Sequence, residues 1–133
     1  MNKLFYAFIA VLFLATSCTK EQLIKNLVGT FKLNSYIQNN VDKTAEFKAS
    51  HQDYSLKFEE SNLFTESYLL NGQVYSQITG EWQLINSNKD IQLVDKSSIG
   101  SATSTSVRMF NIKKIDKNNL TLTKGNEEYQ FSK

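Results

Sequence analysis

The sequence predicts an all-β domain, an antiparallel meander of eight or nine short strands closed into a barrel or folded into a sandwich. Three observations carry that expectation. From Thr30 onward the apolar residues recur with a period of two, as a half-buried strand requires. Short polar breaks rich in Asn and Gly separate these runs, so neighbouring strands join as hairpins. The chain contains no Pro, so no strand lacks a ladder donor. Closure into a barrel removes exposed sheet edges, and eight strands enclose an interior that side chains fill or that holds one small ligand.

Composition narrows the class. The chain has 133 residues, 41% apolar and 21% charged, which is one domain's worth of foldable sequence. Fifteen Lys and Arg face 13 Asp and Glu, so the net charge of +2 implies no strong field for nucleic acid or an anionic surface. One Cys excludes an internal disulfide, and one His leaves little for a zinc site or a His-based triad.

The first element is a leader. Met1, Asn2 and Lys3 give a positive start, residues 4–14 are uniformly apolar, and Ala15, Thr16 and Ser17 are small. That run is too short to span a bilayer and matches a secretory signal. Leu14, Ala15, Thr16 and Ser17 followed by Cys18 resemble the lipobox of bacterial lipoproteins. Ala15 and Ser17 stand where the tightest versions carry Leu and then Gly or Ala; Ser before the Cys is common among lipoproteins of Bacteroidota-type bacteria. The resemblance implies cleavage before Cys18 and acylation of its sulfur and its new amine, tying the protein to a membrane. Removing residues 1–17 takes away Lys3, leaving 14 basic against 13 acidic side chains.

The mature chain follows in order. Leu23, Ile24, Leu27 and Val28 share one face of a two-turn helix over residues 21–28, ended by Gly29. Phe31, Leu33 and Ile37 alternate with Lys32, Asn34 and Tyr36, and Tyr54, Leu56 and Phe58 alternate with Ser55, Lys57 and Glu59. Further strands are expected at residues 63–70, 74–78, 81–85, 91–94, 107–115, 120–123 and 129–131. The breaks between them are polar: residues 60–62, Asn71-Gly72, residues 86–88, 117–119 and Gly125-Asn126. Asn71-Gly72 is the strongest, because both central positions of a type I′ turn need positive φ. Two segments depart from the meander. Residues 38–53 form a long connection with Asp42 positioned to cap a helical turn through Lys48. Residues 97–106, rich in Ser and Thr, read as slack.

Gly29-Thr30-Phe31-Lys32-Leu33 opens the first strand as the Gly-x-Trp motif opens lipocalins, with Phe31 in the Trp position. Tyr54-Ser55-Leu56-Lys57-Phe58, Phe64-Thr65 and Thr79-Gly80-Glu81-Trp82-Gln83-Leu84 follow. This order resembles the small lipocalin-like lipoproteins of Bacteroidota-type bacteria. The resemblance implies a lipocalin-like up-and-down antiparallel β-barrel of 8–9 strands with a short N-terminal helix, preceded by a signal peptide. The organisation is then a signal at 1–17, the lipidated Cys18 and its tether through residue 26, and a barrel domain from 27 to 133, exported to the cell envelope and held at the outer membrane. A fold analogy carries little warrant for activity.

Chemistry is sparse. His51, with Asp53 nearby in a polar loop, reads as an exposed and idle side chain, because zinc needs three or four convergent ligands. Glu59 and Glu60, and likewise Lys113 and Lys114, are consecutive strand residues that point to opposite faces, so neither pair forms a site. No glycine-rich phosphate loop, nucleophile elbow or dinucleotide fingerprint exists, so no enzyme activity, cofactor or metal is expected. Scattered basic residues argue against nucleic acid. Phe31, Tyr54, Phe58, Trp82 and Phe131 sit on apolar faces and read as core. Tyr36, Tyr68 and Tyr75 fall out of phase or beside polar positions, and they form with Trp82 the candidate ligand-binding set. Two functions fit. A non-enzymatic barrel takes a small apolar ligand or peptide in its mouth, gated by residues 38–53 or 97–106. Alternatively a solid barrel acts through its outer surface on an envelope protein, as an inhibitor or immunity-type module.

Overall fold

The computed structural model describes residues 19–99 and 102–133. The signal segment, Cys18, Gly100 and Ser101 lie outside the described residues. The chain runs α1 (Lys20–Leu27), β1 (Gly29–Gln38), β2 (Val41–Asp42), α2 (Thr44–Ser50), β3 (His51–Phe58), β4 (Leu63–Leu70), β5 (Val74–Ile85), β6 (Asp90–Ile99), β7 (Ala102–Ile115), β8 (Asn119–Lys124) and β9 (Glu127–Ser132). Strands β3 to β9 pair in sequence order, β1 joins β3, and β9 returns to β1. All pairings are antiparallel. The result is a closed eight-stranded up-and-down barrel, with β2 as an extra strand hydrogen-bonded to β1 alone.

Asn71 (φ 49°) and Gly72 (φ 68°) both adopt the left-handed conformation of the expected hairpin turn. The first helix forms as expected, shifted by one residue, with Leu27 fully buried and Ile24 packed on the core. Asp42 Oδ1 accepts the Thr44 N–H at 2.9 Å just ahead of α2, but the N-cap position falls on Lys43 and no side chain caps the helix, so Asp42 orders the turn into α2 without capping it.

Four expectations need correction. Residues 74–78 and 81–85 are one strand, because Gly80 permits close approach instead of breaking the run. A Cβ there would lie 1.9 Å from the Val94 carbonyl oxygen and 2.8 Å from the Phe64 ring. Residues 97–99 and 102–106 are not slack: β6 and β7 stay in register out to Ile99 opposite Ala102. The connection at residues 38–53 is mostly ordered structure. Asn39 (φ 52°) and Asn40 (φ 61°) make a tight turn into β2, α2 follows, and β3 already begins at His51. Finally, Tyr36 and not Ile37 is the inward residue at the end of β1, for the reason given below.

The two ends of the barrel differ. At the end where β1 begins, α1 seals the interior. Phe31 meets Phe58 edge-on at 6.3 Å between ring centres, and Phe58 meets Trp82 at 6.0 Å. The Trp82 indole donates to the Glu59 carbonyl at 3.1 Å, so its one polar atom is satisfied. Lys133 Nζ lies 4.9 Å from the Phe31 ring centre. It donates to the carbonyls of Asn26 at 2.8 Å and Val28 at 2.7 Å, closing the C-terminal end of α1. Each fully buried side chain of this kind contributes about 1.5–3 kcal/mol.

Candidate functional site

The opposite end is covered by α2. Strands β1 and β3 pair from Gly29 opposite Phe58 to Lys32 opposite Ser55 and then part. The start of α2 fills the gap. Lys43 N–H donates to the Tyr36 carbonyl at 2.9 Å, and Tyr36 N–H donates to Thr44 Oγ1 at 2.9 Å. From α2, Phe47 reaches down among rings. Its ring centre lies 4.7 Å from Tyr36, 4.5 Å from His51 in a stack, and 5.2 Å from Tyr54.

Two β-bulges aim this collar. In β1 the register against β9 shifts between Leu33 and Ser35, which reverses the phase and turns Tyr36 inward. In β3 the register shifts between Gln52 and Ser55, with Asp53 at φ 54°. His51 and Tyr54 are three apart and would face opposite ways in a regular strand; the extra residue lets both line the interior. Tyr68 then meets His51 at 4.6 Å and Tyr54 at 5.8 Å, while Tyr129 meets Tyr36 at 5.0 Å. The Tyr36 hydroxyl donates to Glu127 Oε1 at 2.7 Å.

Beneath the collar the barrel buries charge. Glu66, only 5% exposed, points inward from β4 between Phe64 and Tyr68. Arg108 Nη1 lies 2.6 Å from Glu66 Oε2, and Arg108 Nη2 lies 2.8 Å from Asp95 Oδ1. Ser106 Oγ donates to Asp95 Oδ2 at 2.9 Å, and the guanidinium sits 5.9 Å from the Phe64 ring centre. Burial alone would lower the Arg108 pKa. The hydrogen bond to Asp95 and the charge of Glu66 outweigh that and raise it, so the guanidinium stays charged. Burial, then the Glu66 charge, pushes the Tyr54 hydroxyl well above its usual value. Burial and Glu127 raise Tyr36 to about 12, and burial with Glu127 raises Tyr129 likewise.

Between collar and ion pairs lies a cavity of about 180 Å³, lined by Phe47, His51, Tyr54, Glu66, Arg108, Lys124 and Tyr129, with Leu56, Leu93, Phe110, Leu122 and Phe131. It is smaller than the roughly 300–1,000 Å³ of drug-sized sites. Polar donors and acceptors face aromatic walls, an arrangement that orients a bound molecule as well as burying it.

The structure separates the four sequence candidates. Tyr36 and Tyr68 belong to the collar. Tyr75 is 62% exposed on β5, opposite Leu69. Trp82 is buried at the far, sealed end. His51 corrects the sequence reading: it is half-buried and stacked under Phe47, and its Nδ1 lies 2.8 Å from Ser50 Oγ. Among the described residues no carboxylate bonds to His51, and no three His, Cys, Asp or Glu side chains converge as metal ligands. Sequence reasoning missed Phe47, Glu66, Arg108 and Tyr129. Glu66 carried a signal, being a charge in phase with the inward residues Phe64 and Tyr68; Arg108 stands in the same relation to Phe110.

No protein-family model and no curated protein matches the sequence. Solved structures do match the fold. A lipocalin-like protein from Bacteroides uniformis superposes with a TM-score of 0.60 at 16% identity, over 81% of this chain and 98% of that one. An uncharacterised protein from Bacteroides eggerthii gives a TM-score of 0.56 at 17% identity, over 80% of this chain and 98% of that one. The architecture is lipocalin-like, as the sequence resemblance implied.

Proposed function

We propose that this lipocalin-like barrel is a non-enzymatic binding protein that takes a small, partly apolar ligand into the cavity beneath α2. One observation carries the reading: a ring of aromatic side chains surrounds a space with both polar and apolar walls at one end of the barrel, while the other end is sealed. The fold of the structural neighbours is consistent with ligand binding. The cavity volume favours a compact molecule over a long acyl chain. Phe47 lines the cavity from α2 among Tyr36 and Tyr54, so in this reading movement of α2 gates entry and release. We further propose that acylated Cys18 anchors the protein in the bacterial cell envelope, at the outer membrane, on the strength of the lipobox resemblance.

A second reading, an outer-surface module for a protein partner, draws on Val107 and Met109, which are 57% and 55% exposed on the outer face of β7. Native mass spectrometry of residues 19–133 after exposure to envelope extract separates the two. Binding in the barrel gives a discrete added mass below that of a phospholipid; a bare protein mass moves attention to the outer surface. Anchoring is tested independently. The protein isolated from membranes should carry acyl mass on Cys18, and Cys18→Ser should be released in soluble form. A variant that stays membrane-bound contradicts the anchor.

A further inference from the structure

Charge in the cavity wall is uneven. Arg108, Lys124 and His51 line the space, and Glu66 is the one carboxylate among the described lining residues. Glu66 is already taken. Arg108 Nη1 lies 2.6 Å from its Oε2, and Arg108 Nη2 lies 2.8 Å from Asp95 Oδ1. The guanidinium and its two carboxylates satisfy one another. Lys124 differs. Strand β8 places Leu120, Leu122 and Lys124 on one face, and both leucines are buried in the core. Lys124 continues that row to the exposed mouth, with its Nζ 5.8 Å from the Phe110 ring centre. Among the described residues it forms no ion pair, whereas Lys96 and Lys113 each hold a carboxylate. Glu127 stands opposite Lys124 across the β8–β9 hairpin, but it accepts the Tyr36 hydroxyl at 2.7 Å and does not line the cavity. The Lys124 ammonium is therefore the uncommitted charge of the wall.

Resting on the ligand-binding reading above, we propose that the cavity takes a small carboxylate bearing one ring-sized apolar group, with the carboxylate accepting from Lys124 at the mouth and the ring held among Phe47, Phe110 and Tyr129. A hydrogen bond from an ammonium to a carboxylate is charge-assisted, the stronger kind. At the mouth both charges keep part of their hydration, so the pair forms without the full cost of burial. Glu66 is compensated by Arg108 and does not oppose the ligand as a free charge would. A protonated amine would meet Lys124 and Arg108; a neutral molecule gains nothing from the ammonium. A volume of about 180 Å³ corresponds to about six waters, which suits a single ring on a short chain.

The test compares three molecules of nearly equal size and different charge: phenylacetate, 2-phenylethanol and phenethylamine, each titrated calorimetrically into the protein at pH 7. The carboxylate should bind about tenfold tighter than the alcohol, and the amine should bind most weakly. Lys124→Met should bring carboxylate and alcohol to within about twofold of each other, while Lys124→Arg should keep the carboxylate ahead. Lys124 is exposed beside a hairpin turn, so neither variant removes core packing. If the alcohol or the amine binds as tightly as the carboxylate, or if Lys124→Met leaves the carboxylate preference intact, the inference fails and the cavity reading survives. If none of the three binds at millimolar concentration, both fail.

Discussion

The two ends of the barrel are built from similar residues and put to different use. At the α1 end, Phe31, Phe58 and Trp82 interlock without charge, and Lys133 closes the helix above them. At the α2 end, a larger set of rings surrounds Glu66, Arg108 and a cavity. Backbone regularity follows the same division. The bulges in β1 and β3 lie toward the α2 end and turn Tyr36, His51 and Tyr54 inward. Apolar packing at one end supplies stability that the other end gives up in burying ion pairs and leaving space. The comparison teaches that a small barrel can hold a site without a second domain, provided one end is sealed by a helix.

The largest effect should come from the sealed end. Phe31→Ala removes a fully buried ring and should lower unfolding free energy by about 3–5 kcal/mol. Urea titration reads the loss; ligand affinity per folded molecule should not change. An affinity that falls along with stability would break the division between the ends.

Arg108→Met should follow, with a loss of about 3 kcal/mol at neutral pH, because Glu66 is left charged and unpaired in the interior. The double variant Glu66→Gln with Arg108→Met should recover part of it, since the Glu66 charge is then gone while Asp95 has lost its guanidinium partner and keeps the Ser106 hydroxyl. A double variant as unstable as the single one would mean that the pair matters by shape and not by charge.

Phe47→Ala sharpens the comparison from the α2 side. Phe47 is half-buried and touches four rings, so stability should fall by only about 1–2 kcal/mol. Ligand affinity should fall about tenfold, mainly through faster release measured by stopped flow. Unchanged release would show that α2 does not gate the cavity.

Alkaline pH provides the smallest test. Burial and Glu127 raise Tyr36 from 10.0 to about 12, so its neutral form belongs to the folded state. The unfolded tyrosine ionises first. Stability from this group is therefore full below about pH 10 and is lost as the pH rises toward about 12. Tyr36→Phe should flatten that part of the pH profile. An unchanged slope would contradict the placement of Tyr36 beside Glu127.

Much of the fold was legible because hairpin barrels are specified locally. Period-two alternation placed β4 and β8, and Asn71-Gly72 declared its turn. Of the collar only Tyr36 and Tyr68 were legible, as side chains out of phase, and the rest was hidden for a physical reason. A bulge shifts the phase by one residue, and nothing in the neighbourhood of Asn34 or Asp53 announces it. The periodicity therefore turned Tyr36 outward and left His51 in a loop. Gly80 hid one strand by looking like a break. Glu66 and Arg108 were visible as charges on inward phases, but their pairing spans strands far apart in sequence. Closure of the barrel, and not local pattern, brings them together.

The most direct measurement is an aromatic-region NMR titration with phenethylamine, 2-phenylethanol and phenylacetate in turn. Trp82 is the single tryptophan of the chain and reports on the sealed end alone. The account predicts that whichever probe binds will shift Tyr36, Phe47, Tyr54, Tyr68 and Tyr129 while the Trp82 indole stays where it was. Shifts gathered on Trp82 or on the exposed Tyr75, with the collar silent, would contradict it.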